Sequence, residues 1–141
     1  MSHQVFTHSH RVTYAECTVG NHVYYGRYLD FLEEARGEFF RSLGTTFLQW
    51  QEQGAIFPVI EVQLKYRGPA RYDDVLQIAV WVSELRGVKL AFGYRVTNAE
   101  GKTLLEGSTI HACTSMEERP MRIPAELAGK LEGFVVKADE R

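Results

Sequence analysis

A chain of 141 residues is sized for a single domain, and burying roughly 70% of its unfolded surface is enough to build one hydrophobic core. Hydrophobic residues make up 45% and charged residues 24%, with a net charge of -2 and both signs interspersed. That balance is ordinary for a globular domain and argues against a general nucleic-acid binder, which carries a basic excess or stripe.

The first element is "VFTHSHRVTY", Val5 to Tyr14. Phe6, His8, His10, Val12 and Tyr14 alternate with Thr7, Ser9, Arg11 and Thr13, so a strand is expected. Gly20-Asn21 ends it. From Gly26 to Leu43 the period changes. Tyr28, Leu32, Ala35, Phe39 and Leu43 recur at three- and four-residue steps, with Phe31 and Phe40 widening the stripe, and Gly44 sits where a C-terminal glycine closes a helix. A second short helix is expected over Thr46 to Gln53, closed by Gly54. Four β segments follow. "FPVIEVQLKYRG" sets Val59, Glu61, Gln63 and Lys65 against Ile60, Val62, Leu64 and Tyr66. After the turn "GPARYDD" comes "VLQIAVWVSEL", with Leu76, Ile78, Val80 and Val82 on one face. "VKLAFGYRVTN" turns at Asn98–Gly101 into "KTLLEGSTIHACTS". "RPMRIPAELAGKL" starts a last short helix from a proline. Helix and strands are segregated, so the class is α+β with an antiparallel sheet. The sheet is the one surface large enough to cover the stripe of the long helix, and it must wrap around it.

The chemistry concentrates between strand and helix. Glu16, Cys17, Thr18, Asn21 and His22 lie just ahead of the Gly26–Leu43 helix. A helix start carries unpaired N–H groups and a partial positive charge, which suits a developing oxyanion. Polar side chains upstream would surround a carbonyl bound there, as in acyl transfer or hydrolysis. A second reading is structural: Thr18 or Asn21 caps the helix, His22 is a subunit contact and Glu16 is a solvated strand residue.

The same residues resemble the hotdog-fold acyl-CoA thioesterases, in particular the hydroxybenzoyl-CoA thioesterase group. Members read D-x-D-x-x-G-H-V-N-N-x-x-Y or a close relative before a helix ending in L-G. Glu16, Thr18, Asn21, His22, Val23 and Tyr28 stand at the matching places. "FLEEAR", "VIEVQLKYRGPARYDDVLQIAVWV" and "RPMRIPAEL" extend the likeness over nearly the whole chain. The resemblance implies one hotdog domain over residues 1–141, with an antiparallel sheet wrapped around one long central helix. It implies hydrolysis of an acyl-CoA or acyl-carrier-protein thioester, with the carbonyl near the backbone N–H of Tyr25. It also implies a homodimer, and a homotetramer if dimers pair.

The chain departs from the pattern at the family's catalytic acid, the second acid of D-x-D, which here is Thr18. Threonine is neither a carboxylate nucleophile nor a strong base. The first acid is kept as Glu16, and the usual glycine before the histidine is Asn21. Some hotdog thioesterases of polyketide pathways also lack the acid and rely on positioned water and an oxyanion site. The catalytic candidates are therefore Glu16, Thr18, Asn21, His22 and Tyr25. The rival to hydrolysis is a non-hydrolytic protein that binds an acyl thioester, a reading that Thr18 favours. A hotdog dehydratase fits the "FLEEAR" helix less well.

Tyr24 is a candidate for the acyl pocket and Glu34 for the site's helix wall. Lys65, Arg67 and Arg71 around the P-A turn, and Arg86 and Lys89 around Gly87, are candidates for gripping the phosphates of CoA. No phosphate-loop, dinucleotide or metal-ligand pattern occurs, so no cofactor or metal is expected. His8 and His10, with His3 nearby, show no acidic partner in the sequence pattern. Cys17 and Cys113 are in no metal-type spacing and are expected to be free thiols. The opening "MSHQVFTHSHRV" lacks the apolar run of a signal peptide, and no window approaches the ~18 apolar residues of a membrane span, so the expected location is the cytoplasm.

Overall fold

The computed structural model describes residues 4–136. His3 lies outside them. In chain order the elements are β1 (Phe6–Arg11), a 3-10 turn (Tyr14–Glu16), β2 (Cys17–Thr18), β3 (His22–Val23), α1 (Arg27–Ser42), α2 (Phe47–Glu52), β4 (Val59–Tyr66), β5 (Val75–Arg86), β6 (Lys89–Thr97), β7 (Thr103–Ala112), α3 (Ala125–Leu131) and a second 3-10 turn (Glu132–Phe134). One antiparallel sheet has the order β1-β5-β6-β7-β4, and β2 and β3 form a separate small ladder.

The stripe of α1 is what positions everything else. Tyr28, Phe31, Leu32, Ala35, Phe39 and Phe40 are all buried, on one side of a 3.6-residue period. The helix lies along β1 and β5. β5 presents Leu76, Ile78, Val80 and Val82 to the interior from alternate positions, each fully buried. Phe39 packs edge-on against Phe92 of β6 at 6.3 Å, and Phe40 stacks on Phe47 of α2 at 3.9 Å. Each such side chain adds roughly 1.5–3 kcal/mol by leaving water. This is the hotdog arrangement that the resemblance implies.

The helix ends follow local chemistry. Gly44, just beyond α1, has φ of 82°, a left-handed conformation that favours glycine. Thr46 opens α2 with a reciprocal pair of bonds. Its hydroxyl accepts the Gln49 N–H at 3.1 Å, and Gln49 Oε1 accepts the Thr46 N–H at 2.9 Å. The start of α1 is different. Its first capping position is Gly26, with no side-chain cap, so neither Thr18 nor Asn21 caps this helix.

Two further expectations are corrected. The first strand ends at Arg11 rather than Tyr14, because Thr13 and Glu16 close a 3-10 turn that pulls the chain out of the sheet. β4 is an edge strand whose alternation is broken by a bulge between Val59 and Glu61, and it meets α1 at Tyr66, which packs edge-on against Tyr28 at 5.3 Å. Ile60 at the bulge, and Val62 and Tyr66 on the inner side, remain 63%, 42% and 47% exposed.

The interior also holds a polar chain. Buried Arg36 of α1 donates from Nη1 to the Tyr94 hydroxyl at 3.1 Å. Tyr94 and Thr109 share a hydrogen bond of 2.7 Å, and Thr109 and His111 Nε2 one of 2.9 Å. His111 Nδ1 lies 3.0 Å from the Phe57 carbonyl, which can only accept, so Nδ1 carries the hydrogen and Nε2 is bare. All the donors then point the same way, from Arg36 to Phe57. Burial pushes His111 down to about 4, against the Phe57 bond, with the nearby Arg36 charge adding to the shift. Gly107, opposite Tyr94, lets β4 approach closely, since a Cβ there would run into Leu64 and the Gln63 carbonyl.

Candidate active site

The turn between β1 and α1 is built by successive backbone bonds. Val12 N–H donates to the Asp74 carbonyl at 2.8 Å as the chain leaves the sheet. Thr13 N–H then donates to Glu16 Oε1 at 2.8 Å, closing the 3-10 turn. Cys17 and Thr18 pair with Val23 and His22. Gly20 and Asn21 reverse the chain with φ of 86° and 59°. The left-handed conformation costs asparagine less than most residues, and here its side chain is also used. Asn21 Oδ1 accepts the Tyr72 N–H at 3.1 Å. Val23 N–H donates to the Ala70 carbonyl at 2.9 Å, and Ala70 N–H donates to the Tyr28 hydroxyl at 3.0 Å. The P-A turn thus clamps the polar turn against α1.

At the helix start the amides divide into two sets. Tyr24 N–H donates to the Glu16 carbonyl at 3.0 Å. Arg27, Tyr28 and Leu29 donate to the carbonyls of Tyr24, Tyr25 and Gly26 at 2.9, 3.4 and 3.3 Å. The N–H groups of Tyr25 and Gly26 make no hydrogen bond among the described residues. They sit at the positive end of a 16-residue helix. The Tyr25 carbonyl is held by the Tyr66 hydroxyl of β4 at 2.9 Å. The rings of Tyr24 and Tyr25 pack at 4.6 Å and are largely exposed. On the turn itself Tyr14, Cys17, Thr18, Val19, Asn21 and Tyr72 line a surface depression of ≈ 700 Å³.

Thr18, Asn21, His22, Tyr24 and Tyr25 are thus brought together at one exposed turn. Glu16 belongs to its base rather than its tip. Its carboxylate accepts from Thr13 N–H and lies 2.9 Å from His10 Nε2. Burial alone would raise its pKa, but the hydrogen bonds from His10 and Thr13 hold it below the usual carboxylate range. Glu34 meets His8 Nε2 at 2.6 Å and His10 Nδ1 at 3.1 Å, and so is tied to β1. The two histidines therefore do have acidic partners, supplied by a turn and a helix that sequence alone does not place beside them.

The basic candidates are dispersed. Lys65 and Arg67 stand with Trp81, Ser108 and Glu106 around a shallow depression on the outer face of the sheet. Arg67 pairs with Glu106 at 3.0 Å. Arg71 is exposed in the P-A turn. Arg86 and Lys89 both pair with Glu84 at 2.9 Å. They lie at the other end of β5 from the turn, about 35 Å along the strand at ~3.3 Å per residue. Within one chain they do not share a site with Thr18. Cys17 and Cys113 are free thiols.

Sequence reading named the Tyr25 N–H but missed that of Gly26, the role of Tyr66 and the polar chain through His111. The T-x-x-E spacing of Thr13 and Glu16 was the one available signal for the 3-10 turn.

The model of the thioesterase superfamily matches residues 20–105. Acyl-CoA thioesterase YbgC of Haemophilus influenzae is 32% identical over 120 residues, spanning 83% of this chain and 87% of that protein. Acyl-CoA thioester hydrolase YbgC of Escherichia coli O6:H1 is 29% identical over 123 residues, spanning 86% and 92%. The crystal structure of hypothetical protein TT1821 from Thermus thermophilus superposes with a TM-score of 0.84 and 34% identity over 91% of this chain and 98% of that one. The matched region holds Asn21 and His22 of the turn, the clamped helix start and strands β4 to β6, and the chain belongs to the thioesterase superfamily.

Proposed function

We propose that this acyl-CoA thioesterase hydrolyses its substrate at the Cys17–Val23 turn, with the N–H groups of Tyr25 and Gly26 receiving the oxyanion. The observation that carries this reading is that those two amides are unpaired while their neighbours are bonded. Donors fixed before the reaction stabilise developing charge without reorganisation. Water adds to the thioester carbonyl carbon, the carbonyl oxygen takes the negative charge, and the C–S bond then breaks. The acid leaves with one oxygen of water, and CoA leaves as the thiol once it regains a proton.

His22 is the group assigned to move that proton. It is exposed at the turn, and its ring makes no hydrogen bond among the described residues. Glu16 is less suited, because its Oε1 is committed to two donors and its carboxyl is held acidic. Thr18 and Asn21 orient the water. A reaction of this kind needs no carboxylate at Thr18.

β4 suits pairing with β4 of a second copy. It is a long edge strand with Ile60, Val62 and Tyr66 exposed, and such an edge needs cover. Tyr66 also bonds the Tyr25 carbonyl, so a partner on β4 would steady the oxyanion site. We assign a homodimer on this ground, with one hotdog domain per chain. Sedimentation as a stable monomer at micromolar concentration would overturn it. Among the described residues no helix is long and apolar enough to cross a membrane. The two free thiols suit a reducing cytoplasm.

The test is thiol release from short, long and aromatic acyl-CoAs, beside a crystal soak with a non-hydrolysable analogue. The analogue's carbonyl oxygen is expected about 3 Å from the nitrogen of Tyr25 or Gly26. A carbonyl far from that helix end sinks the mechanism. Asn21→Ala should cut kcat by about 10²-fold, while Tyr25→Phe keeps the backbone donor and should stay within about threefold. Tight binding without thiol release would instead favour the acyl-thioester carrier that Thr18 suggests.

A further inference from the structure

We propose that His10 is a positioning residue for the active-site turn, acting with both ring nitrogens protonated as a bridge between Glu16 and Glu34. This rests on the turn being the site of hydrolysis. β1 turns Phe6, His8 and His10 toward α1 from alternate positions. Phe6 packs against Phe39 at 5.6 Å and His10 against Phe31 at 4.5 Å, so the ring of His10 is seated on the helix. In that seat its Nε2 lies 2.9 Å from Glu16 Oε1 and its Nδ1 lies 3.1 Å from Glu34 Oε2.

An ionised carboxylate only accepts hydrogen bonds, so each ring nitrogen must supply the hydrogen. A neutral imidazole has one N–H and can make only one of the two bonds. The bridge is complete only with the imidazolium. The groups facing His10 agree with a cation there. Glu34 comes from α1, Glu16 from the 3-10 turn and His8 from β1, the last also bound to Glu34 at 2.6 Å. β5 contributes only apolar Leu76 and Ile78 opposite His10 and His8, and the Arg11–Asp73 pair is exposed at the strand end.

Glu16 transmits the restraint. Its side chain is held by His10 and by Thr13 N–H, while its own carbonyl receives Tyr24 N–H at 3.0 Å. Tyr24 is the residue before the first unpaired amide. Cys17 and Thr18 follow Glu16 directly into the β2–β3 ladder. When His10 loses its second proton, one of its two bonds opens and the base of the turn loosens. Shifts of about 1 Å at reacting groups cost up to about 100-fold in rate.

The experiment measures kcat and KM against pH from 5.5 to 9, on one acyl-CoA substrate, for the wild type, His10→Ala, Glu34→Gln and Asn21→Ala. In parallel, ¹⁵N NMR follows the His10 ring. Wild-type kcat should fall on the alkaline side at the pH where His10 loses its second proton. His10→Ala should lower kcat about 10- to 100-fold, change KM by less than about threefold, and abolish that fall. Glu34→Gln, on a half-exposed residue, keeps the fold and should weaken kcat less while shifting the alkaline limb. A wild-type kcat in both bridge variants, or an alkaline limb more than about one pH unit from the NMR transition, overturns the proposal. Loss of kcat in Asn21→Ala but not in His10→Ala would reject the bridge and leave the site standing. The reverse would reject the site.

Discussion

His10 and His111 both stand on strands of one sheet with an aromatic ring of the core beside them, yet their surroundings are opposite. His10, with a side chain 13% exposed at the rim, lies between two carboxylates. His111 is 2% exposed, and its partners are a hydroxyl and a carbonyl, with a guanidinium two hydroxyls away. Carboxylates ask an imidazole for hydrogens, while a carbonyl on one side and a hydroxyl on the other are satisfied by the neutral ring. Charge at a histidine is thus decided by what faces each nitrogen and by how much water reaches it. The rim network ties the base of the Cys17–Val23 turn to α1, and the interior network ties α1 to the two strands beneath it.

The contrast is tested most severely by acid. An unfolded histidine takes its proton near pH 6.5, whereas buried His111 takes one only at about 4. Between those values the unfolded chain holds a proton that the folded chain refuses, so acidification favours unfolding. The loss attributable to His111 should accumulate from pH 6.5 down to 4 and reach about 3 kcal/mol, at ~1.4 kcal/mol per unit. Glu16 adds little in the upper part of this window, because its carboxyl is held below the usual range and its contribution is lost only under more acid conditions. Urea titrations of the wild type and His111→Gln check this, and equal pH slopes would refute it.

A smaller effect should come from Thr109→Val. It removes the hydroxyl between Tyr94 and His111 and leaves both without that partner, at about 2 kcal/mol for buried polar groups. The unfolding midpoint should drop with an unchanged m-value. The smallest should come from His8→Gln at the rim. Among the described residues the His8 ring hydrogen-bonds only Glu34, whose side chain is 45% exposed, so stability should change by less than about 1 kcal/mol and less still in high salt. A loss as large as that of Thr109→Val would show that the two networks do not differ in the way described.

Much of this fold is legible in the residues. The period of Tyr28, Leu32, Ala35 and Phe39 marks α1, the alternation of Leu76 to Val82 marks β5, and Gly44 and Thr46 mark the ends between helices. The turn from Thr18 to His22 is legible as a site because polar residues gather ahead of a helix. Glu34 was harder to place. A carboxylate on a helix looks solvated until β1 is laid beside it, and β1 comes 24 residues or more earlier in the chain. Arg36 and His111 could not be read at all, since nothing local distinguishes a buried polar residue from an exposed one.

What the sequence determines by itself is what short-range physics controls: periodicity, caps, reversals and the supply of polar groups at the turn. Which amides stay unpaired is a different matter. Tyr25 and Gly26 keep their N–H groups free because Tyr24 is drawn to Glu16, Val23 to Ala70 and the Tyr25 carbonyl to Tyr66. Those partners lie up to 47 residues away for Val23 and 41 for Tyr66. Hydrogen-bond partners of that separation are assigned only when the sheet closes around the helix, so the proposed oxyanion site and the proposed His10 bridge belong to the tertiary structure.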